Sequence, residues 1–340
     1  MRISVFPKGD VDAIAVHRTM TVFDWITQAR VLPIEGLELY SGMFWETSDA
    51  FVDRVGDALV DAGFEMPMLC VSPDFTHPDA GVRARELDKQ FRMIEIADRL
   101  GGTTASCRVL SGQRHPEVSV EQGLDWAAEA ITECLAHAIA LDVTLGIENH
   151  YKDGSWAYPE FAQTKTVFLA LLDRIDNRTH FGVQYDPSNA IVAGEDSADF
   201  LDVVIDRVVT MQASDRYLAP GADLQSLRQA DGTLGYSPDL RHGVIGQGLN
   251  DYPRIFRTLA AAGYDGWISV EDGINGMHEM AESVDFLRDA RERYFGGSLE
   301  ATVATQDAER ARAGIGPRQS ASDRLTHTKE TFWLSQRSDH

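Results

Sequence analysis

Short apolar runs of β type alternate with longer stretches of helical periodicity from the first residue to about position 296. Candidate strands lie at 2–6, 37–40, 67–72, 104–110, 143–148, 181–186, 208–213 and 267–271. Between them apolar residues recur at three- and four-residue steps, as in Leu87, Phe91, Ile94, Ala97 and Leu100. Arg85, Lys89, Arg92 and Glu95 fall mostly elsewhere on the same wheel. Such a stripe packs a helix against a sheet. Gly63 and the pair Gly101-Gly102 stand just ahead of strands, where a helix end favours a residue that tolerates a left-handed backbone. Eight strands separated by crossover helices predict an α/β fold, a (β/α)8 TIM barrel over residues 1–296.

Two stretches depart from this alternation. The segment from Arg216 to Gly248, rich in Gly, Ser, Pro and Asp, is too long for an ordinary barrel turn and follows strand seven. Residues 297–340 form a polar C-terminal extension that ends near an apolar knot, Thr331-Phe332-Trp333-Leu334, expected to anchor on the barrel or on a partner.

Composition narrows the function. A chain of 340 residues with 44% apolar content can bury one large core. A formal charge of -22 argues against binding a phosphate backbone, so no nucleic-acid partner is expected. No apolar run is long enough for a bilayer, and Met1-Arg2-Ile3-Ser4-Val5-Phe6 reads as a first strand rather than an export signal. Cys70, Cys107 and Cys134 lack a metal-binding pair spacing and read as reduced core thiols of a cytoplasmic protein.

Four strand ends carry candidate chemistry. Glu148, Asp186, Gln212 and Glu271 close the fifth to eighth strands, and in a barrel the C-terminal tips converge on one face. An unpaired carboxylate at a buried strand tip is costly, and a divalent cation removes that cost. All four are oxygen donors, which suits Mn²⁺ first, with Mg²⁺ or Co²⁺ as alternatives. Singly, each also reads as a helix cap or an ion-pair partner, and Asp186-Pro187-Ser188-Asn189 in particular has the look of a cap. His150, two residues beyond Glu148, is placed beside such a cation as a general base, or else as a loop histidine bonded to backbone. Trp45, His115, Asp215 and His242 follow strands or lie in the long loop and are candidate substrate contacts, with Phe75, Trp156 and Tyr158 as a possible aromatic wall. Gly243-Val244-Ile245-Gly246-Gln247-Gly248 lacks the strand and lysine of a phosphate loop.

These residues, in this order on strands five to eight, resemble the sugar phosphate isomerase/epimerase family of xylose isomerase-like barrels over about residues 1–296. That resemblance implies Glu148, Asp186, Gln212 and Glu271 as ligands of one divalent metal, with Gln212 in place of the usual His. Gln at that position together with Glu148-Asn149-His150 is most similar to the alpha subunits of C-glycoside deglycosidases. The implied activity is a metal-dependent carbon–carbon lyase acting on 3-oxo-C-glycosides. His150 would take the C2 proton, the aglycone would be expelled from C1, and a small beta subunit would complete a hetero-oligomer. The alternatives are a metal-dependent keto-sugar isomerase or epimerase and, from another class, a non-catalytic sugar-binding or scaffold barrel.

Overall fold

The computed structural model describes residues 1–102, 105–231 and 237–296. In chain order the strands are β1 (Arg2–Pro7), β2 (Gly36–Leu37), β3 (Leu39–Tyr40), β4 (Leu69–Cys70), β5 (Ser106–Val109), β6 (Thr144–Glu148), β7 (Phe181–Tyr185), β8 (Val208–Ala213), β9 (Arg216–Leu218), β10 (Leu240–His242) and β11 (Trp267–Asp272). The helices are α1 (Val22–Ala29), α2 (Asp49–Ala62), α3 (Ala80–Gly101), α4 (Val120–Ala140), α5 (Lys165–Leu172), α6 (Pro187–Val192), α7 (Ser197–Val204), α8 (Leu224–Asp231), α9 (Tyr252–Ala261) and α10 (Met277–Ala290).

Nine of the strands form one parallel sheet in the order β2-β1-β11-β8-β7-β6-β5-β4-β3. Its two ends are halves of the second barrel strand, separated only by Glu38, so the sheet closes. The Glu38 N–H donates to Val5 on one side, and the Leu39 N–H donates to Met68 on the other. All eight expected strands are therefore present and the fold is a TIM barrel. The expected run 37–40 is the one that is interrupted.

Local chemistry sets the helix limits. Ser48, Asp79 and Ser119 each accept a backbone N–H at the start of α2, α3 and α4, and Gly63 ends α2 in the left-handed region at φ 77°. Alternation along the strands then divides the molecule. Ile3, Val5, Leu145, Ile147, Val183, Ile268 and Val270 are fully buried in one apolar cluster with helix residues such as Ile94, Ile131, Phe168 and Leu259. The other parity carries Arg108, Glu148, Gln184, Gln212 and Glu271. Register places Glu148 beside Gln184, Gln212 beside Ser269, and Arg108 beside Gly146. The barrel interior is thus polar toward its C-terminal end.

The segment after strand seven is more ordered than its composition suggests. β9 and β10 pair as an antiparallel ribbon, with α8 between them. Asp215 ties the far end: its carboxylate accepts the N–H groups of Gly246 and Gly248, each at 2.9 Å, and those of Arg216 and Asn250. A Cβ on Gly248 would lie 2.4 Å from the Arg216 carbonyl oxygen, so the wrap requires glycine there. In the glycine-rich stretch that superficially suggests a phosphate loop, this carboxylate takes the Gly246 and Gly248 N–H groups, and Ser283 Oγ takes that of Ile245. Among the described residues no helix is long and apolar enough to cross a membrane. The extension with Thr331-Phe332-Trp333-Leu334 lies outside the described residues.

Candidate functional site

Glu148 ends β6 and is 1% exposed. One carboxylate oxygen accepts the Arg108 guanidinium and the other accepts Asn189 Nδ2 at 2.8 Å. Asp186 follows β7 and caps α6: its Oδ1 accepts the Asn189 N–H at 3.0 Å and the Ser214 hydroxyl at 2.8 Å. The cap reading of Asp186 is thus realised, with the residue just beyond the end of β7. Glu271, on β11, accepts Lys8 Nζ at 2.7 Å. Burial, then the nearby charges of Glu271 and Glu148, push the Asp186 carboxyl well above its usual range. Burial would also raise Glu271, but the Lys8 ammonium overrides it and holds that carboxyl down at about 2. The three acids thus sit within electrostatic reach of one another, balanced in part by Arg108 and Lys8.

Gln212 is fully buried on β8. Its Nε2 donates to Glu38 at 2.8 Å and lies 3.6 Å from the Cys70 sulfur, while its Oε1 is buried without a hydrogen-bond partner. Glu38 accepts from Gln184 Nε2 on its other oxygen, at 3.3 Å. Burial, with the charges of Glu271 and Glu148 adding to it, raises the Glu38 carboxyl to about 8.

Past the tip of β6 the chain turns His150 into a pocket shared with Trp156, whose ring stands edge-on at 6.2 Å, and Glu160. Burial, with Arg108 nearby, lowers the His150 pKa against the opposing pull of Glu148, so the imidazole is neutral at physiological pH. His150 Nδ1 lies 3.9 Å from Glu160 Oε2, and both atoms are buried without a hydrogen-bond partner.

The other expected contacts are dispersed. Trp45 donates its indole N–H to the Ile14 carbonyl oxygen and lies against Arg18. Asp215 is engaged in the backbone cradle described above. His242, on β10, is half-buried near Lys8, Arg216 and Glu271. Burial and the two cations depress it to about 2. Phe75 is core, and Tyr158 stands edge-on to His115. His115 Nε2 pairs with Asp74 Oδ2 at 2.9 Å. With His77 these two form the one group of three His, Cys, Asp or Glu residues among the described residues whose donor atoms all lie within 4.8 Å of each other. Asp74 is already engaged there, since it also accepts the Gln113 backbone N–H at 2.9 Å and its side-chain amide at 2.8 Å.

Several residues around the strand tips escape the sequence reading: Lys8, Glu38, Arg108 and Glu160. Arg108 had a signal. A charge inside the apolar run Ser106-Cys107-Arg108-Val109 must find a buried partner.

The sequence profile of a family described as Xylose isomerase-like TIM barrel matches residues 26–290. A Campylobacter concisus (strain 13826) protein named Probable endonuclease 4 is 29% identical over 137 residues, which is 40% of this chain and 46% of that protein. The chain thus matches less than half of that relative's length. The crystal structure of the IOLI protein with a bound zinc atom superposes with a TM-score of 0.65 at 13% identity, covering 87% of this chain and 100% of the other. The apo 3-keto-D-glucoside 4-epimerase of E. coli superposes with a TM-score of 0.58 at 14% identity, covering 86% and 99%.

Proposed function

Since the chain belongs to the xylose isomerase-like TIM barrel family, we propose that it is a divalent-metal-dependent enzyme that moves a proton between adjacent carbons of a keto sugar. One observation carries this reading. The buried Asp186 carboxyl lies within electrostatic reach of Glu148 and Glu271, and on the strand between β7 and β11 the Gln212 amide oxygen is buried without a hydrogen-bond partner. Glu38 fixes the amide by accepting its N–H, which leaves the oxygen for a cation. Glu148, Asp186, Gln212 and Glu271 would hold the metal, an all-oxygen set suited to Mn²⁺ or Mg²⁺. When bound it would supply Lewis-acid stabilisation of negative charge at the sugar carbonyl oxygen.

The chain's own groups account for the rest. Arg108 and Asn189 hold the two oxygens of Glu148, and Lys8 holds Glu271, so the carboxylates are oriented before substrate arrives. The neutral His150 imidazole is a base able to take a proton from the carbon next to the ketone. The electron pair of that C–H bond moves into the enolate; returning a proton to the same carbon from the opposite face completes an epimerisation, whereas returning it to the former carbonyl carbon, with a proton moving between the two oxygens, completes an isomerisation. The charge of -22 supports a small-molecule substrate over nucleic acid.

A second reading shares the first step. An imidazole base faced by Trp156 also suits a lyase that deprotonates C2 of a 3-oxo-C-glycoside and expels an aromatic aglycone. The two readings separate by product. Incubation with ketoses, 3-oxo-glucosides and 3-oxo-C-glycosides gives a rearranged sugar in the first case and free aglycone in the second. No turnover of any of them, in protein shown to carry metal, would overturn both.

A further inference from the structure

The loop that follows β6 brings Glu160 back beneath His150. Glu160 is held from several sides. Its backbone N–H donates to Tyr151, and it forms an antiparallel bridge with Gln113. Its Oε1 accepts both the Ser111 N–H, at 2.8 Å, and the Ser111 hydroxyl. That hydroxyl accepts the Ala162 N–H at 3.0 Å, so its own hydrogen is committed to Glu160. Two donors therefore fix Oε1 and aim Oε2 at His150. Among the described residues neither Oε2 nor His150 Nδ1 has a hydrogen-bond partner, and the two buried atoms lie 3.9 Å apart. Leaving two such atoms unmade is costly, and a ring movement of about 1 Å would join them.

We infer that Glu160 is a positioning residue that accepts a hydrogen bond from His150 Nδ1–H, fixing the tautomer whose Nε2 lone pair faces the reacting carbon. This rests on the proposed role of His150 as the base. Such a bond supplies the donor that the buried Oε2 lacks.

The arrangement makes Glu160→Gln a sharp probe. Ser111 requires an oxygen at the Oε1 position, so the Gln amide must turn its NH₂ toward His150. Nδ1 then becomes an acceptor and the proton moves to Nε2. The volume is unchanged, so folding is preserved, and Glu160→Ala serves as a second variant that removes the acceptor without inverting it.

The test uses the full chain labelled with ¹⁵N-histidine, with the His150 signal assigned by its loss in His150→Gln. The wild type should show a protonated, hydrogen-bonded Nδ1 and an unprotonated Nε2. Glu160→Gln should show the reverse, and Glu160→Ala should lose the hydrogen-bonded Nδ1 proton. Exchange of the C2 proton of methyl 3-oxo-glucoside in D₂O should fall at least about a hundredfold in kcat in Glu160→Gln with KM little changed, because a wrong tautomer removes the base while binding survives. An Nε2–H tautomer in the wild type, or a His150 signal indifferent to Glu160→Gln, would overturn the inference. Normal tautomers with unimpaired exchange in His150→Gln would instead remove His150 from the reaction and leave Glu160 as its structural partner only.

Discussion

Replacing Arg108 with Met tests how the strand-tip carboxylates are tolerated without a metal. The Arg108 and Glu148 side chains are 6% and 1% exposed, so their ion pair is scarcely screened by solvent. The same guanidinium donates to Ser72 Oγ at 3.0 Å and to the Val71 carbonyl oxygen at 3.2 Å. Methionine fills much of the volume but leaves Glu148 with Asn189 alone, in the field of Asp186 and Glu271. Removing one partner of a buried pair costs about 3–5 kcal/mol. At about 2–4 °C per kcal/mol for a chain somewhat smaller than this one, the loss should lower Tm by at most roughly 6–20 °C in chelator-treated protein. Adding Mn²⁺ at about 100 times its Kd should stabilise Arg108→Met by about 2.7 kcal/mol, because a bound cation takes over the lost charge. Urea unfolding with and without chelator measures both effects. A chelated variant within about 1 kcal/mol of wild type would refute the argument that Glu148 depends on a fixed cation.

Three further outcomes follow from the same geometry. Lys8→Met removes both a competitor for Glu271 and a repelling charge. Titration calorimetry should show tighter Mn²⁺ binding by roughly three- to tenfold, and weaker binding would contradict the placement of Lys8. Asp215→Ala strips the acceptor from the Gly246, Gly248 and Asn250 N–H groups. It should cost about 1–3 kcal/mol and speed amide exchange across residues 243–250, while unchanged exchange would show that the ribbon holds itself. In chelated protein, Glu38 carries a folded-state pKa raised from 4.5 to about 8. Its contribution is fully present below pH 4.5 and disappears as pH rises through 8. Wild type should therefore lose stability relative to Glu38→Gln across that window by up to about 1.4 kcal/mol per pH unit, and a flat difference would argue against a buried proton there.

The barrel was legible because each strand repeats one local rule, an apolar run bounded by helix ends, and Gly63 marks a stop that the backbone uses. Strand two broke at Glu38 because its halves bond to different neighbours, a consequence of closure that no local window contains. Glu148, Asp186 and Glu271 stood out as charges at strand tips. Their partners did not: Lys8 is 263 positions from Glu271 and Arg108 is 40 from Glu148. Glu160 lies in a loop without periodicity, where only the fold shows that Ser111 aims it at His150. Asp215 carried the same sequence signal as a substrate contact, and only the return of residues 246–250 shows what its carboxylate holds.

The most direct test of the metal proposal is anomalous diffraction from crystals of the full chain grown with Mn²⁺. A single peak among the oxygens of Glu148, Asp186, Gln212 and Glu271, lost in Glu148→Gln, is the predicted result. No peak at the strand tips, or one between Asp74, His77 and His115 alone, would contradict it.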